Sequence, residues 1–187
     1  MNGKDIFIVN YRHSNCEPMK SITQLPVEEA LALANKIYID SPCRAHNRFG
    51  PNFKEYYENR IELEKWLYER FIALGGNPKF KNPFYFSLQY SDDLYDNFNE
   101  GSIIKIKLKD ISILDISFTF GDSMAMFYSS DWKDPFLKNH LCNYILENDN
   151  SVDNFLCNIQ PQYRYIEAQL WTDKYFDYCI EEVHQTQ

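Results

Sequence analysis

The sequence is poor in the patterns that would name a chemistry at once. Its five cysteines, at positions 16, 43, 142, 157 and 179, form no C-x-x-C pair. Zinc-ribbon spacing is therefore absent, and free thiols in a reducing compartment are the simplest reading. Long apolar runs are missing too. The N-terminal "IFIV" is only four residues long, too short for the apolar region of a signal peptide. Nothing approaches the roughly 20 apolar residues that span a bilayer. The expectation is a cytoplasmic protein with no membrane segment.

Positive charge is also scarce. Nineteen Lys and Arg stand against 27 Asp and Glu, for a formal net charge of −8. Bulk nucleic-acid binding is not expected, although a local basic groove is compatible with that balance. The acids are interspersed with bases, so no block reads as a nucleic-acid mimic. There is no G-x-x-x-x-G-K-[ST], no G-x-G-x-x-G after the first strand, no H-E-x-x-H and no G-x-S-x-G. These absences remove the P-loop, dinucleotide-fold, zincin and nucleophile-elbow enzymes.

What is abundant is aromatic: 14 Tyr, 14 Phe and 3 Trp. Such residues fill cores, and tyrosine also lines clefts because it joins an apolar face to a polar tip. The 187 residues read as one globular domain, 1–187, long enough to bury a core unaided.

"DIFIVNY" predicts a first strand. "LPVEEALALANKIYID" predicts a helix, with Pro26 in its first turn and apolar residues at helical spacing. "PNFKEYYENRIELEKWLYERFIALGG" predicts the longest helix, opened by Pro51 and closed by Gly75–Gly76. Its stripe of Phe53, Tyr56, Tyr57, Leu63, Leu67 and Phe71 reads as a face packed on a sheet. The pairs Glu58–Glu62 and Arg60–Glu64 read as its exposed charged face. "NPFYFSLQY" predicts a strand, "SDDLYDNF" a short helix capped by Ser91 or Asp92, and "SIIKIKL" and "ISILDISFTF" two further strands. "GDSMAMFY" turns at Gly121 and continues as a strand. A helix follows from Pro135, then a short one over "SVDNFLCNI", then strands over "QYRYIEAQLW" and "YFDYCIEEVH". Short links between the central strands favour antiparallel pairing. The fold class is α+β, with a mixed, mainly antiparallel sheet and a long helix packed on it.

Three places carry candidate chemistry. In "NYRHSN", strand alternation sets Tyr11 and His13 on one side and Arg12 and Ser14 on the other. His13 is either a core histidine satisfied by backbone or a ligand to a ribose or carbonyl. In "SFTFGDSMAM", Gly121-Asp122-Ser123 is either ordinary turn chemistry or a site where backbone approaches a ligand. In "YRYIEAQLW", alternation groups Tyr163, Tyr165, Glu167 and Gln169 on one face and Ile166, Ala168 and Leu170 on the core face. Glu167 then points to solvent or into a cleft.

Taken with "NPFYFSLQYSDDLYD", the first and third places resemble the ADP-ribosyltransferase superfamily of the diphtheria-toxin type. That family carries a histidine on an early strand, two tyrosines around a middle strand and helix, and a glutamate on a late strand. The resemblance implies NAD as the substrate, His13 and Glu167 as catalytic residues, and Tyr85 and Tyr95 around the nicotinamide ring. It places Arg12, Ser14 and Arg44 near the ribose and pyrophosphate. Here Arg12 stands between Tyr11 and His13, and Ser14-Asn15 replaces the family's Gly-Thr. The partner is then a nucleotide-type small molecule. Two readings of other classes stay open: a non-catalytic protein-binding or inhibitor protein, of the kind mobile elements carry, and a metal-dependent nuclease using Asp115, Asp122 and Glu167 with Mg²⁺.

Overall fold

The computed structural model describes residues 5–13, 16–17, 19–40, 49–98, 102–178 and 180–182. Strand β1 (Phe7–Arg12) leads to helices α1 (Val27–Asp40) and α2 (Phe53–Ala73). Then come β2 (Phe84–Leu88), α3 (Asp92–Asn97), β3 (Ser102–Lys107), β4 (Ile116–Phe120) and the single-turn α4 (Ser123–Met126). The chain closes with β5 (Phe136–Leu137), α5 (Lys138–Glu147), α6 (Val152–Ile159), β6 (Ile166–Leu170) and β7 (Ile180–Glu182). The strands form one sheet in the order β5-β4-β6-β2-β1-β3-β7, and every paired neighbour is antiparallel. The α+β class expected from the sequence is what the chain adopts.

Helix boundaries follow local chemistry. Ser91 caps α3 by accepting from the Leu94 amide. Helix α2 ends at Gly75, whose φ of +94° is the left-handed conformation glycine tolerates. Gly76 N–H donates to Phe71 C=O and Gly75 N–H to Ile72 C=O, each at 2.9 Å, which satisfies two carbonyls at the helix end. Gly76 has a second role. A Cβ there would sit 2.4–2.5 Å from the ring of Phe71. That ring is fully buried and stacks on Trp171 at 5.2 Å. Gly76→Ala is therefore expected to cost about 1–3 kcal/mol by overpacking, read as a lower urea midpoint with an unchanged slope.

Several sequence expectations change. The strand expected over "YFDYCIEEVH" is a 3-10 turn at Phe176–Tyr178 followed by the short β7. "GDSMAM" does not continue as a strand: Asp122 accepts from the Met124 and Ala125 amides and starts α4 instead. The helix expected from Pro135 begins at Lys138, because Phe136 and Leu137 pair with β4. Arg60 and Glu64 do not face solvent. Glu64 is fully buried and the Arg60 side chain nearly so, whereas Glu58 and Glu62 are exposed as expected.

Register divides the sheet into two chemically different faces. On one face, Ile8 aligns with Ile106 and Leu88, Phe86 with Ala168, and Phe118 with Ala168 and Phe136. This all-apolar face packs on Leu141 and Ile145 of α5 and Val152 and Phe155 of α6. The opposite face carries two cross-strand polar rows, Ser87–Glu167–Thr119 and Tyr85–Gln169–Ser117. Helix α2 covers the end of that face with Leu63, Leu67 and Phe71 against Trp171. Buried polar rows are costly unless hydrogen-bonded, so this face has a specific internal order.

The sheet also forks. Strand β1 pairs with β3 at six positions, but with β2 only at Ile8↔Leu88 and Val9↔Ser87. Beyond Val9 the ladder stops, and the Asn10 side chain bridges the gap by donating to the Tyr85 carbonyl at 2.8 Å. A cavity occupies the fork.

Candidate functional site

The cavity measures about 830 Å³. Strand β1 lends it Tyr11 and Arg12, followed by His13; β2 lends Tyr85 and Ser87, β6 lends Glu167, and α2 lends Tyr56 and Arg60. Asp122, at the start of α4, and Arg164, just before β6, also line it, as do Asn10, Glu17, Lys20 and Glu29. Ile22, Leu25, Leu33 and Ile37 form an apolar side. A volume of this size and mixed lining suits a small amphipathic ligand.

Glu167 is the most perturbed acid in it. Burial raises its pKa from the ordinary 4.5 to about 7, and the negative charge of Asp122 adds to the effect. The Arg60 guanidinium works in the opposite direction, as do the Ser123 hydroxyl and the Gln169 amide. Gln169 Nε2 donates to Glu167 Oε1 at 3.0 Å. Ser123 Oγ is buried and makes no hydrogen bond of ordinary geometry.

Arg60 is the residue the sequence reading missed. Its guanidinium lies 3.7 Å from the centre of the Tyr85 ring, a cation–π contact. Its Nε donates to Glu64 Oε1 at 3.1 Å. Glu64 also accepts from Thr23 Oγ1 at 3.0 Å and from Asn82 Nδ2 at 2.6 Å. Burial opposes the charge of Arg60, but the neighbouring Tyr85, Tyr56, Glu167 and Glu64 hold its pKa well above the ordinary value. Tyr85 is pushed well above its ordinary value, first by burial. The signal was present in the sequence: Arg60 and Glu64 fall at helical spacing with Tyr56, Tyr57, Leu63 and Leu67 on the apolar stripe.

No protein-family model, curated protein or solved structure matches this chain. The site must be read from its own geometry.

Of the seven residues singled out by the sequence, four line the cavity: Arg12, His13, Tyr85 and Glu167. Tyr95 is not among its lining residues. It sits on α3, 5.9 Å from the Tyr90 ring, in the cluster around Val9, Tyr11 and Ile103. The two tyrosines are thus not brought together, and one face of Tyr85 already carries Arg60. Ser14 and Arg44 lie outside the described residues. His13 is buried, and that burial pulls its pKa below the usual 6.5. Arg12 Nη1 donates to the Cys16 carbonyl at 3.3 Å. Tyr11 accepts from the Ser91 amide at 2.5 Å, an anchoring role between β1 and α3.

The open choice at Glu167 resolves toward the cleft: it is 5% exposed and Gln169 beside it is 0% exposed. The alternation does not reach back to Tyr163, which precedes β6 and packs with the apolar core. Gly121-Asp122-Ser123 forms a turn whose Asp122 lines the cavity. Gly121 takes φ +72° and donates to the Tyr165 carbonyl at 2.9 Å, which sets Asp122 on the cavity wall. Asp115 is elsewhere, bonded to the Tyr175 hydroxyl and paired with Lys174. Among the described residues, no three His, Cys, Asp or Glu side chains are grouped to hold a metal ion.

Proposed function

We propose that this protein cleaves the nicotinamide–ribose bond of NAD and transfers ADP-ribose, with Glu167 as the catalytic carboxylate. The observation that carries the reading is the placement of a buried carboxyl, poised near neutrality, on the wall of one cavity that His13, Arg12 and Tyr85 also line. Loss of nicotinamide leaves positive charge on the ribose. A fixed carboxylate in a buried site stabilises the charge that develops on the ribose in the transition state more than it stabilises bound NAD. The guanidinium group of Arg12, on the cavity wall, is matched to pyrophosphate oxygens. His13, held neutral by burial, offers a ring nitrogen to a ribose hydroxyl.

The test is calorimetric titration with NAD of wild type, His13→Ala and Glu167→Gln, with nicotinamide release followed in parallel. Wild type binds, His13→Ala loses binding, and Glu167→Gln loses release. The reaction needs the ionised acid, so release rises with pH through about 7 and is about tenfold below its plateau one pH unit lower. Absence of binding at millimolar NAD sinks the reading and directs the search to a protein partner.

A further inference from the structure

The carboxyl of Glu167 can carry its proton on either oxygen, and the two are not equivalent. Four side chains form a directed chain: Trp171 Nε1 to Ser117 Oγ at 2.9 Å, Ser117 Oγ to Gln169 Oε1 at 2.9 Å, then Gln169 Nε2 to Glu167 Oε1 at 3.0 Å. Gln169 Nε2 also donates to Thr119 Oγ1 at 2.9 Å. All of these groups are buried.

Donor and acceptor inventory fixes the direction. An indole N–H only donates, so Ser117 Oγ must accept from Trp171. The Ser117 hydroxyl hydrogen is then available for Gln169 Oε1, which makes that atom the acceptor end of the amide. A flipped amide would turn its NH₂ toward Ser117 and leave the serine hydrogen with no acceptor in the chain. It would also set the amide oxygen against Glu167 Oε1, two acceptors face to face whenever the acid is ionised. With the amide in this sense, its two N–H bonds are spent on Thr119 Oγ1 and Glu167 Oε1. The contact from Gln169 therefore favours Oε1 as the carbonyl oxygen of the protonated acid, the better acceptor of its two oxygens.

The geometry points to Gln169 as a positioning residue that reserves Glu167 Oε1 as an acceptor and confines the exchangeable proton to Oε2, with Trp171 and Ser117 locking the amide. This inference rests on the proposed role of Glu167, and adds which oxygen gives and takes the proton. The groups that face Glu167 from the elements packed against it are Arg60 of α2, Tyr85 of β2 and Asp122 with Ser123 at the start of α4. The relay acts from within the sheet, on the side of Oε1.

The experiment is NMR of the whole chain: ¹³C titration of the Glu167 carboxyl and ¹⁵N–¹H observation of the Gln169 side-chain amide from pH 5 to 9. In wild type the Gln169 amide signal moves with the Glu167 titration. Ser117→Ala unlocks the amide and removes its preferential donation to the charged form, so the Glu167 midpoint rises by about one pH unit. Ser117→Thr, which keeps the hydroxyl, restores it. A Gln169 amide that ignores the Glu167 titration overturns the inference, as does a Ser117→Ala midpoint identical to wild type. If Ser117→Ala does not fold, the wild-type amide signal decides alone. Nicotinamide release separates this inference from the function it rests on. A relay that behaves as stated in a protein that never releases nicotinamide leaves the relay standing and removes the transferase reading. Release without coupling between Gln169 and Glu167 does the reverse.

Discussion

Glu167→Gln is expected to make the protein more stable at pH 8 by about 2–3 kcal/mol, and to change its stability little at pH 5. The sign follows from linkage. The folded pKa is about 7 against an ordinary 4.5, so between those values the native state holds a proton that the unfolded chain has released. Wild-type stability then falls as pH rises from about 4.5 and levels off above about 7. The gap corresponds to about 3 kcal/mol at most. Glutamine matches the protonated acid in shape, accepting from Gln169 through Oε1 and carrying hydrogens at the other position. It therefore keeps the relay and never ionises. Urea unfolding of both proteins at pH 5 and pH 8 gives the four midpoints required. A stability gain equal at the two pH values would show that Glu167 does not titrate in this range. Gain of stability together with loss of nicotinamide release is the trade expected of a functional carboxyl held in a site that disfavours its charge.

Much of this arrangement was legible in the residues, and the failures share a cause. Period-two alternation in "YIEAQLW" and "SFTF" correctly set Glu167 and Gln169 against Ile166, Ala168 and Leu170. What alternation does not tell is whether the polar face meets water or another layer. Here another layer, built from α2 with Met124 and Phe127, packs on that side of the sheet, and that is a tertiary fact. The same step explains Arg60 and Glu64. Charged residues at i and i+4 on a helix read as a solvated pair, and Glu58 and Glu62 two residues away do face solvent. The charge type overrode the positional signal that put the first pair on the apolar stripe. The turn at Gly121 was also read correctly, but the Asp122 side chain bonded to the next amides and made a helix where β-rich residues suggested strand. The sheet fork between β1 and β2 has no counterpart in local pattern. Pairing length depends on how two distant strands diverge, which neither strand encodes alone.

Arg60→Met is expected to cost about 3–5 kcal/mol, the largest loss from any single change at the site. The reason is what remains. Glu64 is 0% exposed, and without Arg60 the donors to its carboxylate among the described residues are the neutral Thr23 and Asn82. The guanidinium also covers Tyr85, whose half-buried ring would lose that contact. Combining Arg60→Met with Glu64→Gln removes the stranded charge and is expected to recover more than half of the loss, giving a coupling of about 2 kcal/mol or more in the double-mutant cycle. Additive single effects, or a cost below about 1 kcal/mol for Arg60→Met, would mean that the pair behaves like an exposed one. The same substitution reaches the chemistry. Arg60 is the cation that favours the ionised form of Glu167, so its loss moves the Glu167 midpoint above 7 and shifts the rise of nicotinamide release to higher pH. Stability of α2 on the sheet and the charge state of the candidate catalytic acid thus depend on one guanidinium, because the helix that closes the polar face of the sheet also supplies the only buried cation among the described residues that acts on Glu167.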